Sequence, residues 1–305
     1  MLGFFESGKG NSVKKFECFH PVSAGFFFLS MLIITVFSSF PLIQIFSLAG
    51  GIAFDITLRK GRGVLRDLLF DALFFAAVAI SNPLFVHNGA TPLFFVNGNA
   101  VTAEALLCGV SLGITLVAAL VWFRCFNAVM TSDKLLFLFA RLSPKISILL
   151  SSTLRFVPLF KNQAKKIRAA QKTMGLYSSE SIADRLKGSL RVYSALLTWA
   201  LENAVDTAAS MKGRGFGLSG RTYYSDYRFG AGDVLLTAFC AAADALVASA
   251  SAAGRLDFSF YPVLRWGGTD ALTFAASAVF LALSFAPFIF EKKEAVKWRC
   301  YRLKI

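Results

Sequence analysis

The feature that most constrains this chain is a series of apolar stretches, each approaching the ~20 residues a helix needs to cross a bilayer. Ala24–Val36 ("AGFFFLSMLIITV") opens the first, and "SSFP" at Ser38–Pro41 turns it back into a short second span, Leu42–Ile56. A third runs from about Leu68 to Val86 and a fourth over about Ala105–Phe123. A polar, Gly- and Asn-rich connection, His87–Ala100, lies between those two. Two more spans, about Val234–Ala253 and Ala271–Phe290, close the chain. Composition agrees: only 16% of residues are charged, against about 25% in soluble domains. The expected fold class is all-α, a multi-pass helical membrane protein with about six transmembrane helices.

The net charge of +14 is distributed unevenly. Residues 127–230 hold 16 of the 32 Lys and Arg but six acids, and they still carry helical periodicity. Three regions follow: 1–126 with four spans, 127–230 as a cytoplasmic pair of amphipathic helices, and 231–305 with two spans and a basic tail. Cytoplasmic loops concentrate Lys and Arg. With the N-terminus inside, Lys9, Lys14, Lys15, the Arg59–Arg66 loop, the basic region and the tail are all cytoplasmic, and only Arg255 and Arg265 lie outside. The N-terminal stretch has no cleavage-like small-residue site and reads as lacking a signal peptide. Five scattered Cys and two His (His20 and His87) support neither a metal site nor a disulfide framework, and no cofactor is implied.

A charge at the centre of a span costs roughly 2.5–3.5 kcal/mol on insertion scales, so such groups are functional candidates. Asp55, Asp71 and Glu104 fall near span ends, where hydration is expected to be cheap. Asp244 lies well inside the fifth span. It reads either as a carboxylate facing the bundle or a cavity, or as an ion-coupling group. A single carboxylate is thin support for an ion-driven carrier.

Within the basic region, Arg155–Lys172 places Phe156, Leu159, Phe160, Gln163, Ile167 and Ala170 at three- and four-residue steps, with Lys161, Lys165, Lys166, Arg168 and Lys172 on other faces. Pro158 suits the first turn of that helix, where its missing amide hydrogen costs nothing. Gly175 stops it. A second helix, about Ala183–Met211, carries a stripe of Leu186, Leu190, Tyr193, Leu197, Ala200, Leu201, Ala204 and Ala208. It ends at "KGRG", where Gly213 and Gly215 can take the left-handed backbone. Arg214 there meets the negative end of the helix dipole.

Gly215, Gly217 and Gly220 outline a dinucleotide-binding loop, but such a loop must follow a strand and open a helix. These glycines follow a helix, where the dipole has the wrong sign for phosphate. Nucleic-acid binding calls for aromatics on the basic face, and here they lie on the apolar stripe. Two readings of the cationic pair remain level: a surface resting on anionic lipid, or docking to a cytoplasmic partner through two similar helix ends, Met174–Gly175 and Arg214–Gly215.

"SSTLRFVPLFKNQAKKIRAAQKTMG" followed by "ALENAVDTAASMKGRGFGLSGRTYY" resembles the transmembrane T component of energy-coupling factor transporters, the CbiQ-like family, over about Leu149–Arg228. The first family signature falls on Leu154, Arg155, Phe156, Pro158, Ala170 and Gln171. The second falls on Ala209, Arg214, Gly215, Phe216, Arg221 and Thr222. The resemblance implies two helices whose ends dock on two ATP-binding-cassette subunits. It implies that the chain itself hydrolyses nothing and couples those ATPases to a small substrate-binding membrane subunit, for uptake of a vitamin or metal ion across a prokaryotic plasma membrane. Two departures stand out. Met174 replaces the usual arginine, leaving Lys172 and Arg168 as nearby cations, and Gly213 replaces the usual alanine. A membrane scaffold or secondary carrier, its basic helices lying on lipid, is the alternative.

Overall fold

The computed structural model describes Phe16 and residues 19–59, 63–86, 89–96, 99–175, 181–218, 229–256, 258–261, 264 and 270–302. It divides into two compact units: Met1–Leu135 together with Tyr227–Ile305, and Leu136–Asp226.

The first unit holds six apolar helices: α1 (Pro21–Phe37), α2 (Pro41–Arg59), α3 (Val64–Phe85), α4 (Ala103–Val129), α8 (Ala231–Ala252) and α9 (Ala271–Arg302). The segments α2, α3, α4, α8 and Ala271–Lys292 of α9 are long and apolar enough to cross a membrane. The all-α, multi-pass membrane class is therefore as expected. The first span is the exception. At 17 residues, α1 is about 25 Å long, short of the ~30 Å hydrocarbon core. His20 caps its start, accepting the Val22 amide at 3.3 Å, and Ser38–Phe40 turn the chain into Pro41 at the head of α2.

The core of this unit is aromatic. Phe16, Phe27, Phe28, Phe54 and Trp122 are fully buried. Phe16 meets Phe27 and Phe54 edge-on at 5.4 Å between centroids, the geometry a ring quadrupole favours. Hydrocarbon tails are as apolar as these side chains, so close packing and interhelical hydrogen bonds must hold the helices together. Gly109 packs so tightly on α3 that an added methyl would meet the Ala79 carbonyl oxygen at 2.7 Å. The Trp122 indole donates to Ser47 Oγ at 2.9 Å, and Ser111 Oγ donates to Gln44 Oε1 at 2.7 Å.

The expectation that Asp55, Asp71 and Glu104 are hydrated at span ends is wrong. All three are buried; Asp71 and Glu104 accept hydrogen bonds from protein, and Asp55 is ion-paired although its Oδ1 has no hydrogen-bond partner. Arg59 Nε stands 3.0 Å from Asp55 Oδ1, and the same guanidinium reaches across to Asp67 on α3. Arg124 of α4 pairs with Asp71 and lies 3.8 Å from Asp67. Two arginines thus tie one end of α2, α3 and α4 through three carboxylates. Glu104 accepts from Thr91, by the hydroxyl at 2.9 Å and the amide at 3.3 Å.

Thr91 belongs to the connection expected to be merely polar, which contains an antiparallel hairpin, β1 (Pro92–Val96) and β2 (Asn99–Thr102). Phe94 pairs with Val101 and Phe95 with Ala100. Thr102 closes the hairpin and caps α4, its hydroxyl accepting the Ala105 amide at 3.3 Å.

Following α5 (Ser132–Leu142), the second unit contains two long helices, α6 (Pro144–Thr173) and α7 (Ile182–Gly213). α6 begins more than two turns before the expected Arg155, at Pro144, whose ring sits at its first position. Pro158 is therefore inside the helix rather than in its first turn. It removes the bond to the Leu154 carbonyl, an interior defect worth about 3 kcal/mol, and the long flanking stretches carry the helix through it.

Breaking a buried ion pair strands its partner and costs about 3–5 kcal/mol. Asp71→Ala and Arg124→Ala are each expected to lower unfolding stability by about that much in detergent denaturation, and the double variant by clearly less than the sum. Additive losses would mean that the pair does not hold α3 to α4.

Candidate functional site

Charge, exposure and backbone geometry converge at the two ends of the helix pair. On α6, Phe156, Phe160, Gln163, Ile167 and Gln171 form the less exposed face. On α7 that face is Gly188, Val192, Leu196, Trp199, Ala200, Asn203, Thr207 and Met211. Phe160 meets Trp199 edge-on at 5.7 Å, near the midpoint of each helix, and stacks on Phe156 at 5.8 Å. The α6 stripe legible in sequence therefore includes the packed face.

Of the α7 stripe only Ala200 lies on the less exposed face. Leu186 is 62% exposed, Leu190 59%, Tyr193 60% and Leu201 69%. The less exposed residues of α7 mix Gly188, Asn203 and Thr207 with Val192, Leu196, Trp199 and Met211, so apolar periodicity picked out a more exposed side of α7. Gly188 and Val192 are the buried residues of α7, and nothing in a hydrophobicity pattern marks a glycine as buried.

Both helices close in the same way. Met174 caps α6 with φ −81° and ψ 9°, and Arg214 caps α7 with φ −87° and ψ 9°. The next residue is left-handed in each: Gly175 at φ 79° and Gly215 at φ 80°. The Gly175 amide donates to the Lys172 carbonyl at 3.2 Å, and the Gly215 amide to the Lys212 carbonyl at 3.0 Å. At the second end the Phe216 amide also donates to the Met211 carbonyl at 3.0 Å. These bonds satisfy carbonyls that a helix end otherwise leaves open. Gly213 is the last helical residue and carries no positive φ, so only one of the two glycines expected to be left-handed is so.

What the ends present differs. Met174 is 77% exposed and offers a flexible apolar thioether. Arg214 is exposed beside half-exposed Phe216, and its guanidinium projects from the terminus a cation favours. Lys172 and Arg168 are exposed one turn or so back from Met174. Arg155 is exposed in the middle of α6, and Gln171 is half-buried near its end. Arg221 and Thr222 lie outside the described residues.

The connection 174–181 spans at most roughly 30 Å, less than the about 48 Å length of the 32-residue α7, so Gly175 and Gly215 are not neighbours. Asp244 belongs to the other unit, on α8, where Ser30 Oγ of α1 donates to its Oδ2 at 2.6 Å.

Fold and site together define a polytopic helical membrane protein carrying a pair of long amphipathic helices with matched, glycine-closed ends. Residues 20–224 match the family described as CbiQ, cobalt transport protein, and the chain belongs to that family. It is 33% identical over 94 residues to the energy-coupling factor transporter transmembrane protein EcfT of Listeria innocua, covering 30% of this chain and 36% of that protein. It is 33% identical over 107 residues to EcfT of Bacillus selenitireducens, covering 34% and 40%. Against EcfT of Lactobacillus helveticus it is 30% identical over 97 residues, covering 31% and 35%. The matched stretch thus spans well under half the length of these relatives.

The backbone predicts opposite outcomes for two neighbouring glycines. A methyl at Gly213 meets nothing within 4 Å, so Gly213→Ala is expected to stabilise the end of α7 by up to about 1 kcal/mol. Gly215→Ala forces a left-handed alanine at about 1–2 kcal/mol, with Leu218 3.1 Å from the new carbon. Thermal melting of the two variants in detergent checks the sign of each.

Proposed function

We propose that this chain is the energy-coupling transmembrane subunit of an energy-coupling factor importer. α6 and α7 carry force from two ATP-binding-cassette subunits to a small substrate-binding membrane subunit, for uptake of a vitamin or metal ion. ATP hydrolysis belongs to the partner subunits. The observation that carries this reading is the matched pair of helix ends, closed alike at Gly175 and Gly215, one at the end of each long helix. Two equivalent, separated ends suit two similar partners; a lipid-resting helix has no need of them. The family, and the names of its relatives, support the same reading.

In this account Arg214 enters a groove of one ATPase, where its planar, permanently charged fork can meet a carboxylate or helix-end carbonyls. Met174 enters the corresponding groove of the other with an apolar side chain, and Lys172 and Arg168 supply charge beside it. The two ATPase contacts are therefore unequal, which suits two different ATPases better than two copies of one. The free apolar side of α7, with Leu186, Leu190, Tyr193, Leu197 and Leu201, is the surface offered to the substrate-binding subunit. The protein sits in a prokaryotic plasma membrane with both termini cytoplasmic, the orientation that puts the basic region inside.

Tagged co-purification in mild detergent tests this. Wild type is expected to retain two ATP-binding-cassette subunits per chain, and Arg214→Glu to lose at least about tenfold of one of them, while Lys172→Glu costs less. Equal losses would remove the asymmetry. Binding to anionic liposomes with no ATPase retained by either form would replace the coupling role with the lipid-surface one.

A further inference from the structure

The carboxylate of Asp244 is only half used. Its Oδ2 accepts from Ser30, but its Oδ1 is buried without a hydrogen-bond partner. Among the described residues no cation lies within 4.0 Å of it, in contrast to Asp55, Asp67 and Asp71, each paired with an arginine. A carboxylate within a span ordinarily finds a partner or lines a pathway. This one lines a cavity of about 380 Å³ between α1 and α8.

The cavity is of mixed character. Leu29, Ile33 and Phe37 of α1 and Val247 of α8 supply apolar wall, and Ser38 and Ser251 stand near its helix-end rim. Asp244 precedes Ser251 by two helical turns, so it lies about 10 Å in from that rim. The volume is many times a water's share of about 30 Å³ and falls within the range of small-molecule sites. A bare metal ion is a poor occupant, because calcium takes six or more oxygen ligands. Among the described residues, no group of three His, Cys, Asp or Glu is present to hold one.

We infer that this cavity binds a protonated amine borne on an apolar body, with Asp244 Oδ1 accepting from the ammonium and the α1 wall holding the chain. The amine comes either from an aminophospholipid of the surrounding bilayer or from a free organic amine. The site is independent of the coupling helices and of the ATPase docking proposed for them.

Octylamine and 1-octanol share a tail and differ in charge at neutral pH. Titrated calorimetrically into the full chain in neutral-detergent micelles, octylamine is expected to bind wild type at least about tenfold more tightly than octanol. Asp244→Asn, checked for helicity and melting, is expected to abolish the difference. Should that variant fold poorly, the wild-type comparison still decides. Equal binding of amine and alcohol, or the same preference in a folded Asp244→Asn, overturns the inference and leaves a non-selective apolar groove. Native mass spectrometry from mixed phosphatidylcholine and phosphatidylethanolamine nanodiscs separates the sources. Selective ethanolamine-lipid retention that depends on Asp244 identifies the lipid; equal retention of both lipids, with octylamine still preferred over octanol, identifies a free amine.

Discussion

A polypeptide in hydrocarbon must satisfy every backbone N–H and C=O from within, because no water is there to do it. Helices meet that demand along their length and fail it at their ends, where four carbonyls go unpaired. Much of this protein's architecture concerns how those ends are handled. The hairpin β1–β2 closes onto α4 through Thr102, and Ser38 and Pro41 join α1 to α2. In α6 and α7 a left-handed glycine turns the chain so that the last carbonyls are used. The residue before that glycine is left projecting, and this is why Met174 and Arg214 occupy equivalent positions while differing so much in chemistry.

The same economy explains the membrane unit. Apolar side chains gain little by leaving lipid for one another, so helices are joined by close approach, as at Gly109, and by polar contacts such as Trp122 to Ser47. The arginine–aspartate network linking α2, α3 and α4 belongs to this group. Its members are costly to bury singly and compatible with the bundle together.

Sequence legibility followed the strength of the local signal. Six apolar segments, the basic middle region and both glycine stops could be read directly, because composition and helix termination are local properties. The buried state of Asp55, Asp71 and Glu104 could not, since it depends on Arg59, Arg124 and Thr91 arriving from elsewhere in the chain. Pro158 misled because proline is more often a helix start than an interior residue, and Pro144 already filled that role. On α7 most of the apolar period marked the exposed side, as the less exposed side interleaves Gly188, Asn203 and Thr207 with Val192, Leu196 and Trp199. At the candidate site the likeness of the two glycine-closed ends was legible, and the matched backbone angles at Met174 and Arg214 add its geometry.

The central claim is that the end at Gly175 and the end at Gly215 are separate docking points for two ATPases. Photo-crosslinking from residue 174 and from residue 214, with residue 193 on the free side of α7 as comparison, addresses it directly in native membranes. The account predicts ATP-binding-cassette adducts from 174 and 214, of different identity or yield, and none from 193. Lipid adducts alone from 174 and 214 would contradict it.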